Sequence, residues 1–354
     1  MNRKGFKRKK IKEETTVEKK QKPSIRVGKK RGIAIGLAAF VIMGAIIILH
    51  HNPGADQQEE LIKKIISCTV IVAACAAFVR FYDKITVLPV ELFQSRHLIW
   101  KLAKNDFKKR YAGSYLGAVW AMVQPVVTVV MYYIVFDLIM GDGNNMTQLR
   151  EGVQVPFVLF LTAGLVPWFF FSEALNNGTR ALLEYNYLVK KVVFKISILP
   201  IIKVIAALFI HAFFVVVLLI VAAIYGYYPT IYTIQLVYYS ACLFIFVLAL
   251  SYTTCAVVVF FKDLAQIINI ALQIGMWATP ILWNLEALDA DWVAFLKLNP
   301  LVYIVNGYRS AIYEREWFFW DFYSTMYFWI VTAVLFGFGA MVFKRLKVHF
   351  ADVL

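Results

Sequence analysis

Blocks of apolar residues alternate with short polar segments along most of the chain, and the clearest change of pattern falls between residues 97 and 140. From 97 to 111, apolar residues repeat at helical spacing on one face and polar residues on the opposite face. The apolar face carries Ile99, Leu102, Ala103, Phe107 and Tyr111, and the polar face carries Lys101, Lys104, Asn105 and Lys108. The pattern predicts an amphipathic interface helix over residues 97–116.

From residue 117 to residue 140 the sequence is almost continuously apolar. At about 1.5 Å of rise per residue, such a helix spans the roughly 30 Å hydrocarbon layer of a membrane. A helix on the membrane therefore passes directly into one that crosses it. We expect the basic residues of the first helix to contact anionic headgroups of the membrane lipids and to mark the cytoplasmic side. These residues are Lys101, Lys104, Lys108, Lys109 and Arg110.

Five further apolar runs follow, and with the first they predict six spans in a core of residues 117–354. The runs lie at 156–175, 198–228, 230–261, 264–283 and 318–343. Between 284 and 317 the apolar pieces are too short for spans, which favours external re-entrant helices. The basic residues at 101–110, 180–195, 262 and 344–347 then lie inside, so we expect both termini in the cytoplasm.

Two more apolar runs, at 32–49 and 62–79, precede this core and predict an extra N-terminal transmembrane hairpin over residues 32–80. Residues 1–31 contain fourteen Lys or Arg against three Glu. A basic segment directly before an apolar run is typical of a cytoplasmic topology signal, so we expect no nucleic-acid partner. Because this tail has few apolar residues to bury, it is predicted to be disordered.

The composition, 61% hydrophobic, leaves no soluble domain of useful size and predicts an all-α polytopic membrane protein. No catalytic constellation stands out, and the four cysteines lie in apolar runs without metal-ligand spacing. The phosphate-binding pattern G-x-x-x-x-G-K-[ST] does not occur. We therefore expect a chain that is not an enzyme and has no cofactor or metal of its own. If ATP drives it, another polypeptide binds the ATP.

The segment KNDFKKRYAGSYLGAVWAMVQPVV carries a family resemblance. Its pattern consists of Asp106, Arg110, Tyr111, Ser114, Leu116, Gly117, Trp120 and Pro125. It resembles the entry helix and first span of the polysaccharide-exporting ABC-2 permeases, which export O-antigen, capsule, teichoic acid and rhamnose polymers. Segments that begin at residues 163 and 278 resemble later parts of the same family, so the resemblance covers residues 97–354. Lys195 and Lys262 depart from the commoner residues of the family.

The resemblance implies a six-helix permease core in the bacterial cytoplasmic membrane, with a separate ABC ATPase subunit that binds ATP and Mg. It also implies that residues 176–199 form a coupling loop that docks into this ATPase. The sequence RALLEYNYLVKK at 180–191 predicts about three helical turns with side chains that can enter a groove. The candidate coupling residues are Arg180, Leu182, Leu183, Glu184, Tyr187 and Leu188. Alternatively, this helix only anchors the loop to the membrane.

The many aromatic residues have two interpretations. Most Trp and Tyr side chains in membrane proteins form belts at the two interfaces, but a subset could line a channel, because sugar rings suit aromatic faces. The candidate channel residues are Trp120, Tyr132, Tyr133 and Trp168. We expect His211 to be a neutral, hydrogen-bonded imidazole, Lys203 to extend to the headgroups, and Glu173 to lie close to a span end.

These expectations combine into the membrane subunit of an ATP-driven exporter of a lipid-linked cell-surface polysaccharide or teichoic-acid-like polymer. The lack of an internal duplication implies two copies of the chain around one pathway, as a homodimer. The nearest alternative is an ABC-2 exporter of a lipid or small molecule. A membrane-integral glycosyltransferase would need acidic residues at an interface for metal binding or acid/base work. A structural membrane scaffold is a third possibility, and it predicts no effect of changes in the coupling loop. The outer acidic residues are Asp289, Asp291, Glu314 and Glu316.

Overall fold

The computed structural model describes residues 25–49, 57–110, 113, 115, 117–139, 146–148, 154–190, 195–285 and 288–354. The chain divides into two compact units, Met1–Thr86 and Val87–Leu354.

The first unit contains helices α1 (Ile25–Leu49) and α2 (Gln57–Ile85), which pack against each other. Phe40 and Phe78 meet edge to face with ring centroids 5.8 Å apart. Helix α1 begins before the apolar run, so residues 25–31 of the predicted disordered tail are helical. The rest of that tail, residues 1–24, lies outside the described residues. That α1 and α2 cross the membrane as a hairpin stays a prediction.

The second unit is mostly helical. Its helices are α3 (Val87–Gln94), α4 (Arg96–Arg110), α5 (Trp120–Tyr132), α6 (Phe157–Glu184), α7 (Asn186–Val189), α8 (Leu199–Ile224), α9 (Gln235–Val258), α10 (Leu264–Ala278), α11 (Ala290–Leu296), α12 (Pro300–Arg309), α13 (Phe322–Leu346) and α14 (Phe350–Val353). A small antiparallel hairpin of β1 (Met146–Gln148) and β2 (Gln154–Pro156) precedes α6.

Four helical segments in the described part of the chain are long and apolar enough to cross a membrane. They are Phe157–Glu184, Ile196–Ile224, Ile231–Val258 and Phe322–His349. The other two predicted core spans contain shorter α-helices. Helix α5 has 13 residues and continues as a π-helix over Tyr133–Ile139, and α10 has 15 residues. The predicted all-α, multi-pass class is confirmed apart from the small β1–β2 hairpin, and the count of six spans stays a prediction.

Helix α6 lies at the centre of the second unit and contacts α8, α9 and α12. Its small residues allow this close packing, because a Cβ on Gly178 would lie 2.3 Å from the hydroxyl oxygen of Ser251. On the far side of α9, a Cβ on Gly339 of α13 would lie 2.8 Å from the carbonyl oxygen of Ala249. Hydrophobic and small side chains therefore make one core around α6 and α9.

The predicted loop at 176–199 is wrong in its first part, because α6 continues to Glu184. The buried face of the helix continues through Gly178, Ala181 and Leu182, so this stretch packs against its neighbours and does not leave the bundle. The helix ends at Tyr185, and the four-residue helix α7 follows.

The region between α10 and α13 contains short helices, as its broken hydropathy pattern suggests. Asn299 caps α12 by accepting a hydrogen bond from the Leu301 N–H, and Pro300 occupies the first turn. A π-helical turn, Ser310–Glu314, follows α12, and Arg315 then adopts the left-handed conformation with φ 59°. Such local irregularities occur often at functional sites.

Candidate functional site

Four polar side chains meet at the end of the bundle where α4 lies. The Lys203 ammonium is 2.8 Å from an Asp106 carboxylate oxygen and 2.6 Å from a Glu184 carboxylate oxygen. The Tyr185 hydroxyl donates a hydrogen bond to Asp106, and the Lys203 ammonium lies 4.9 Å from the centre of the Tyr185 ring. We call Asp106, Glu184, Tyr185 and Lys203 the Lys203 cluster. It joins three elements that are distant in sequence: α4, the end of α6, and α8.

Helix α4 presents Asp106 to this cluster because its buried face packs on α8. Ile99 and Ala103 are buried on that face, and Asp106 follows one turn later. The Trp100 and Phe107 rings both meet the Phe209 ring of α8 edge to face, at 5.3 Å and 5.7 Å. The amphipathic helix is therefore held against the bundle by apolar contacts on either side of one buried carboxylate.

Burial makes the charges of the cluster interdependent. The side chains of Lys203 and Asp106 are only 7% and 9% exposed, whereas Glu184 is 47% exposed. Two ions removed from water are stable only while each has a close partner of opposite charge. Burial also raises the pKa of the Tyr185 hydroxyl well above its usual range, and Asp106 raises that pKa further. Tyr185 is therefore a neutral donor at physiological pH.

Two further polar contacts hold the same part of the chain. Arg110 at the end of α4 forms an ion pair with Glu173 in the middle of α6, and both side chains are about a quarter exposed. The Ser197 hydroxyl donates a hydrogen bond to Glu91 of α3 at 2.5 Å. The segment α3–α4 is thus tied to both α6 and α8. Glu173 lies eleven residues before the end of α6 and pairs with Arg110, and its expected position near a hydrated span end stays a prediction.

The expectation that Lys203 extends to the headgroups is wrong. Lys203 is 6% exposed, and the carboxylates of Asp106 and Glu184 hold its ammonium inside the protein. Sequence reasoning could not pair it with Asp106, which lies 97 residues earlier. One signal was available, since Asp106 is the single acidic residue within a strongly basic helix and occupies its apolar face.

The predicted coupling residues do not form one three-turn helix, because the chain breaks between α6 and α7 at Tyr185 (φ −101°, ψ 27°). Arg180 and Tyr187 are exposed, the latter by 51%, and Leu183 is half-buried. Leu182 was expected to enter a partner's groove, but it is fully buried in the core. Leu188 is half-buried against the core and Glu184 pairs with Lys203. Residues 191–194 lie outside the described part of the chain.

The predicted basic face of α4 is exposed as expected. Lys101, Lys104, Lys108 and Lys109 all point away from the bundle, and Lys104 lies over the Trp100 ring at 5.3 Å. Arg110 differs from them because it pairs with Glu173. The predicted interface residue Tyr111 lies outside the described residues.

The four predicted channel aromatics separate into two groups. Trp120 and Tyr133 are 50% and 39% exposed, and Tyr132 is half-buried against Phe136. Trp168, in contrast, is 5% exposed and its ring lies against Gly275 of α10. Within this chain Trp168 therefore belongs to the packing between α6 and α10 and not to a free surface.

His211 is 2% exposed at the centre of the bundle. Its Nε2 lies 2.9 Å from the Tyr308 hydroxyl and 3.1 Å from the Ser240 hydroxyl, and its ring stacks on Phe170. The expected hydrogen bonding to neighbouring helices is confirmed. The hydroxyls of Tyr308 and Ser240 are both neutral partners.

Comparisons with known proteins identify the family. Residues 97–313 match the ABC-2 type transporter family. The chain is 29% identical over 265 residues to the O-antigen export system permease protein RfbA of Myxococcus xanthus, covering 74% of this chain and 97% of the relative. It is 26% identical to the RfbA protein of Klebsiella pneumoniae, covering 73% and 95%. It is 24% identical to the polysialic acid transport protein KpsM of Escherichia coli, covering 59% and 78%.

The family match begins at the first turn of α4 and ends within the π-helical turn after α12. It therefore includes every residue of the Lys203 cluster and leaves α1 and α2 outside. Since the match spans more than half of the sequence, the chain belongs to the ABC-2 type transporter family.

Proposed function

We propose that this protein is the transmembrane subunit of an ATP-driven ABC exporter that moves a lipid-linked cell-surface polysaccharide or teichoic-acid-like polymer outward. Relatives whose names describe O-antigen export align over almost their whole length with this chain, which supports a glycan cargo. The membrane is the bacterial cytoplasmic membrane, with both termini in the cytoplasm and six spans in the core.

The single observation that carries the proposal is the Lys203 cluster. In this proposal the ATPase contacts the end of α6 and helix α7, where Glu184 and Tyr187 are exposed, and Glu184 and Tyr185 begin that segment. The same two residues bind Lys203 and Asp106. A movement imposed on α7 by a docked ATPase would therefore reach α4 directly. ATP and Mg are bound on that ATPase, and this chain supplies the mechanical connection.

Two copies of the chain enclose the pathway in this proposal. The outward faces of α5 and α10 carry large exposed apolar side chains, including Val127, Val130, Ile270, Ile274 and Trp277. Such faces need cover by lipid or by protein, and a second copy supplies it. Trp120, Tyr132 and Tyr133 on and beyond α5 would then face the polymer, whose sugar rings slide over aromatic surfaces. The exposed lysines of α4 contact membrane lipids beside the entrance.

The test is co-purification of a tagged, full-length chain from its native membrane in mild detergent. We expect a soluble ABC ATPase at equal stoichiometry. The double variant Leu183→Asp/Tyr187→Ala should reduce the retained ATPase at least tenfold and separate ATP hydrolysis from export, with normal insertion into the membrane. The matched control is Tyr228→Ala, because Tyr228 is 68% exposed but lies beyond the opposite end of α8.

Surface polymer supplies the second readout. Depletion of the chain should stop delivery of the polymer to the cell surface and cause lipid-linked polymer to accumulate inside. Unchanged surface polymer after depletion would overturn the proposal. A lipid exporter would leave the intracellular polymer at its normal level. If the protein were a glycosyltransferase, the purified chain would incorporate sugar into a lipid-linked acceptor without ATP.

A further inference from the structure

A cavity of about 510 Å³ lies at the end of the bundle opposite the Lys203 cluster. Its walls come from α11, α12, the π-helical turn, the start of α13, and the segment between the π-helical turn and α13. Phe160 at the start of α6 and Tyr239 near the start of α9 complete it. We call this space the outer cavity.

One wall of the outer cavity is a polar face of a continuous helical stretch. Tyr303, Asn306, Ser310 and Glu314 line it, and their spacing of three and four residues places them on one side of α12 and the π-helical turn. Asp321 and Tyr327 of the α13 segment also line the cavity. The wall therefore contains carboxylate, amide and hydroxyl groups. The Ser310 hydroxyl donates to Glu314 at 2.5 Å and the Tyr327 hydroxyl donates to the Leu298 carbonyl at 2.7 Å, so these two hydroxyls can only accept a hydrogen bond from a ligand.

Aromatic side chains form another part of the lining. Trp317 and Trp320 both line the cavity, and Trp320 is 59% exposed. Trp317 is held in place by stacking on Phe319 at 5.7 Å and by the Tyr232 ring at 5.0 Å. Trp317 and Trp320 therefore give the cavity flat apolar surfaces that can contact a ligand.

The polar wall is rigidly built. A Cβ on Gly307 would lie 2.1 Å from the Tyr239 ring, so the glycine allows that ring to pack directly on α12. The Tyr303 hydroxyl is 3.0 Å from the Thr325 hydroxyl and 3.2 Å from the Tyr238 hydroxyl. Arg309 donates to the Ile281 carbonyl at 3.0 Å and lies over the Phe160 ring. Prearranged groups lower the cost of ordering a ligand.

The combination selects a class of ligand. A hexopyranose ring has an apolar C–H face that suits an indole, and hydroxyls at its edge that suit carboxylates and amides. An acyl chain would take the carboxylates and the Asn306 amide of this wall out of water without giving them further hydrogen bonds, which costs free energy. A cavity of this size holds a short stretch of an oligosaccharide.

The charge of the cavity lining distinguishes neutral from anionic glycans. Residues 284–321 contain six Asp or Glu against three Lys or Arg, and the cavity itself is lined by Glu314, Glu316 and Asp321 against Lys297 and Arg309. Arg309 is 3% exposed and donates to the Ile281 carbonyl, and its charge also interacts with that of Glu314, so the lining carries an excess of one negative charge. A chain with a phosphate or carboxylate on every repeat would be repelled here, whereas a neutral sugar would not.

We propose that the outer cavity binds a short, uncharged hexopyranose stretch of the exported polymer as the polymer leaves the protein. The inference deepens the function proposed above and depends on it. It also distinguishes a neutral glycan from a polyol phosphate or a polymer of acidic sugars as the cargo.

The binding test uses the full-length chain in lipid nanodiscs, because the maltose headgroup of a maltoside detergent would compete for the site. The neutral probes are mannohexaose, maltohexaose and chitohexaose, and the anionic probe is hexagalacturonate. Tryptophan fluorescence should change with at least one neutral probe, and hexagalacturonate should bind at least tenfold more weakly at low salt. Trp320→Ala should weaken the neutral probe at least tenfold.

Two variants serve as matched comparisons. Trp292→Ala removes an indole that is 60% exposed in the same region but does not line the cavity, so binding should be retained. Glu314→Gln combined with Asp321→Asn should strengthen binding of hexagalacturonate. Failure of all three neutral probes, equal binding of hexagalacturonate, or unchanged binding by Trp320→Ala would each overturn the inference.

Analysis of the cargo separates this inference from the proposed function. Polymer that accumulates on depletion of the chain should contain hexose with no phosphate or carboxylate in its repeating unit. An anionic group in every repeat would overturn the inference and leave the exporter function standing. No accumulation and normal surface polymer would overturn the proposed function itself.

Discussion

Replacement of Lys203 by methionine tests the Lys203 cluster. Lys203→Met keeps most of the side-chain volume but leaves Asp106 as a buried carboxylate whose only remaining donor in the cluster is Tyr185. Loss of one member of a buried ion pair costs roughly 3–5 kcal/mol. The more exposed Glu184 adds less than about 1 kcal/mol to that loss. Because Tyr185 still stabilises Asp106, we expect about 3 kcal/mol.

The double variant Asp106→Leu/Lys203→Met gives the decisive comparison. Replacement of both ions by apolar groups is commonly neutral or stabilising, so the double variant should unfold within about 1 kcal/mol of the natural protein. It nevertheless lacks the ionic link between α4 and the end of α6. We therefore expect it to recover stability and membrane insertion while its ATP-dependent delivery of polymer stays low.

Thermal unfolding of the purified chain in one detergent, followed by size-exclusion chromatography, measures the first effect. At about 2 °C per kcal/mol for a chain of this size, Lys203→Met should unfold roughly 6 °C below the natural protein. The control is Lys101→Met, which removes an exposed lysine from α4. A Lys203→Met variant as stable as this control, or a double variant as unstable as the single one, would refute the reasoning.

Two further predictions concern packing and the pathway. Trp168→Ala should destabilise the protein by about 3–5 kcal/mol because its ring is buried, whereas Trp120→Ala should leave the melting temperature unchanged and reduce export of long polymers, measured by gel analysis of surface glycan. Gly339→Ala should cost at least about 1–3 kcal/mol, since the new methyl group meets the backbone carbonyl of Ala249, which cannot rotate away. Gly44→Ala is the control, because open space surrounds that position and the melting temperature should not fall.

The helices could be predicted from the sequence because membrane insertion requires long apolar runs. Each run is a continuous stretch of sequence that can be recognised without knowing its neighbours in the fold. The predicted run at 230–261 corresponds to the segment Ile231–Val258, and the run at 318–343 to helix α13. The ends of the helices were less predictable. Helix α6 continues beyond the predicted span end because its neighbours supply an apolar surface there, which no local pattern reveals.

In the candidate site, too, some features follow from the local sequence and others depend on contacts between distant residues. The exposed lysines of α4 follow from helical spacing alone. The break at Tyr185 does not, because no Gly or Pro marks it between residues 180 and 191 and the partner of its hydroxyl, Asp106, lies 79 residues away. Tryptophan is a residue type common at membrane interfaces and in sugar channels. Only the contact of Trp168 with Gly275 shows that this one lies in the core.

The proline inside α6 gives this helix a mechanical property. Pro167 has no N–H to donate to the preceding turn, so the helix is weakest there. On the outer side, Gly164 packs closely on Ile281, which anchors that part. On the other side, about 26 Å of helix reaches Glu184, so a tilt of about 10° at the proline would move Glu184 by roughly 4–5 Å. Because the inner half of α6 is packed tightly on its neighbours, such a tilt would move those neighbours with it. In the proposed exporter, a bend near Pro167 would carry a stroke to Lys203 and α4 while the outer cavity stays still.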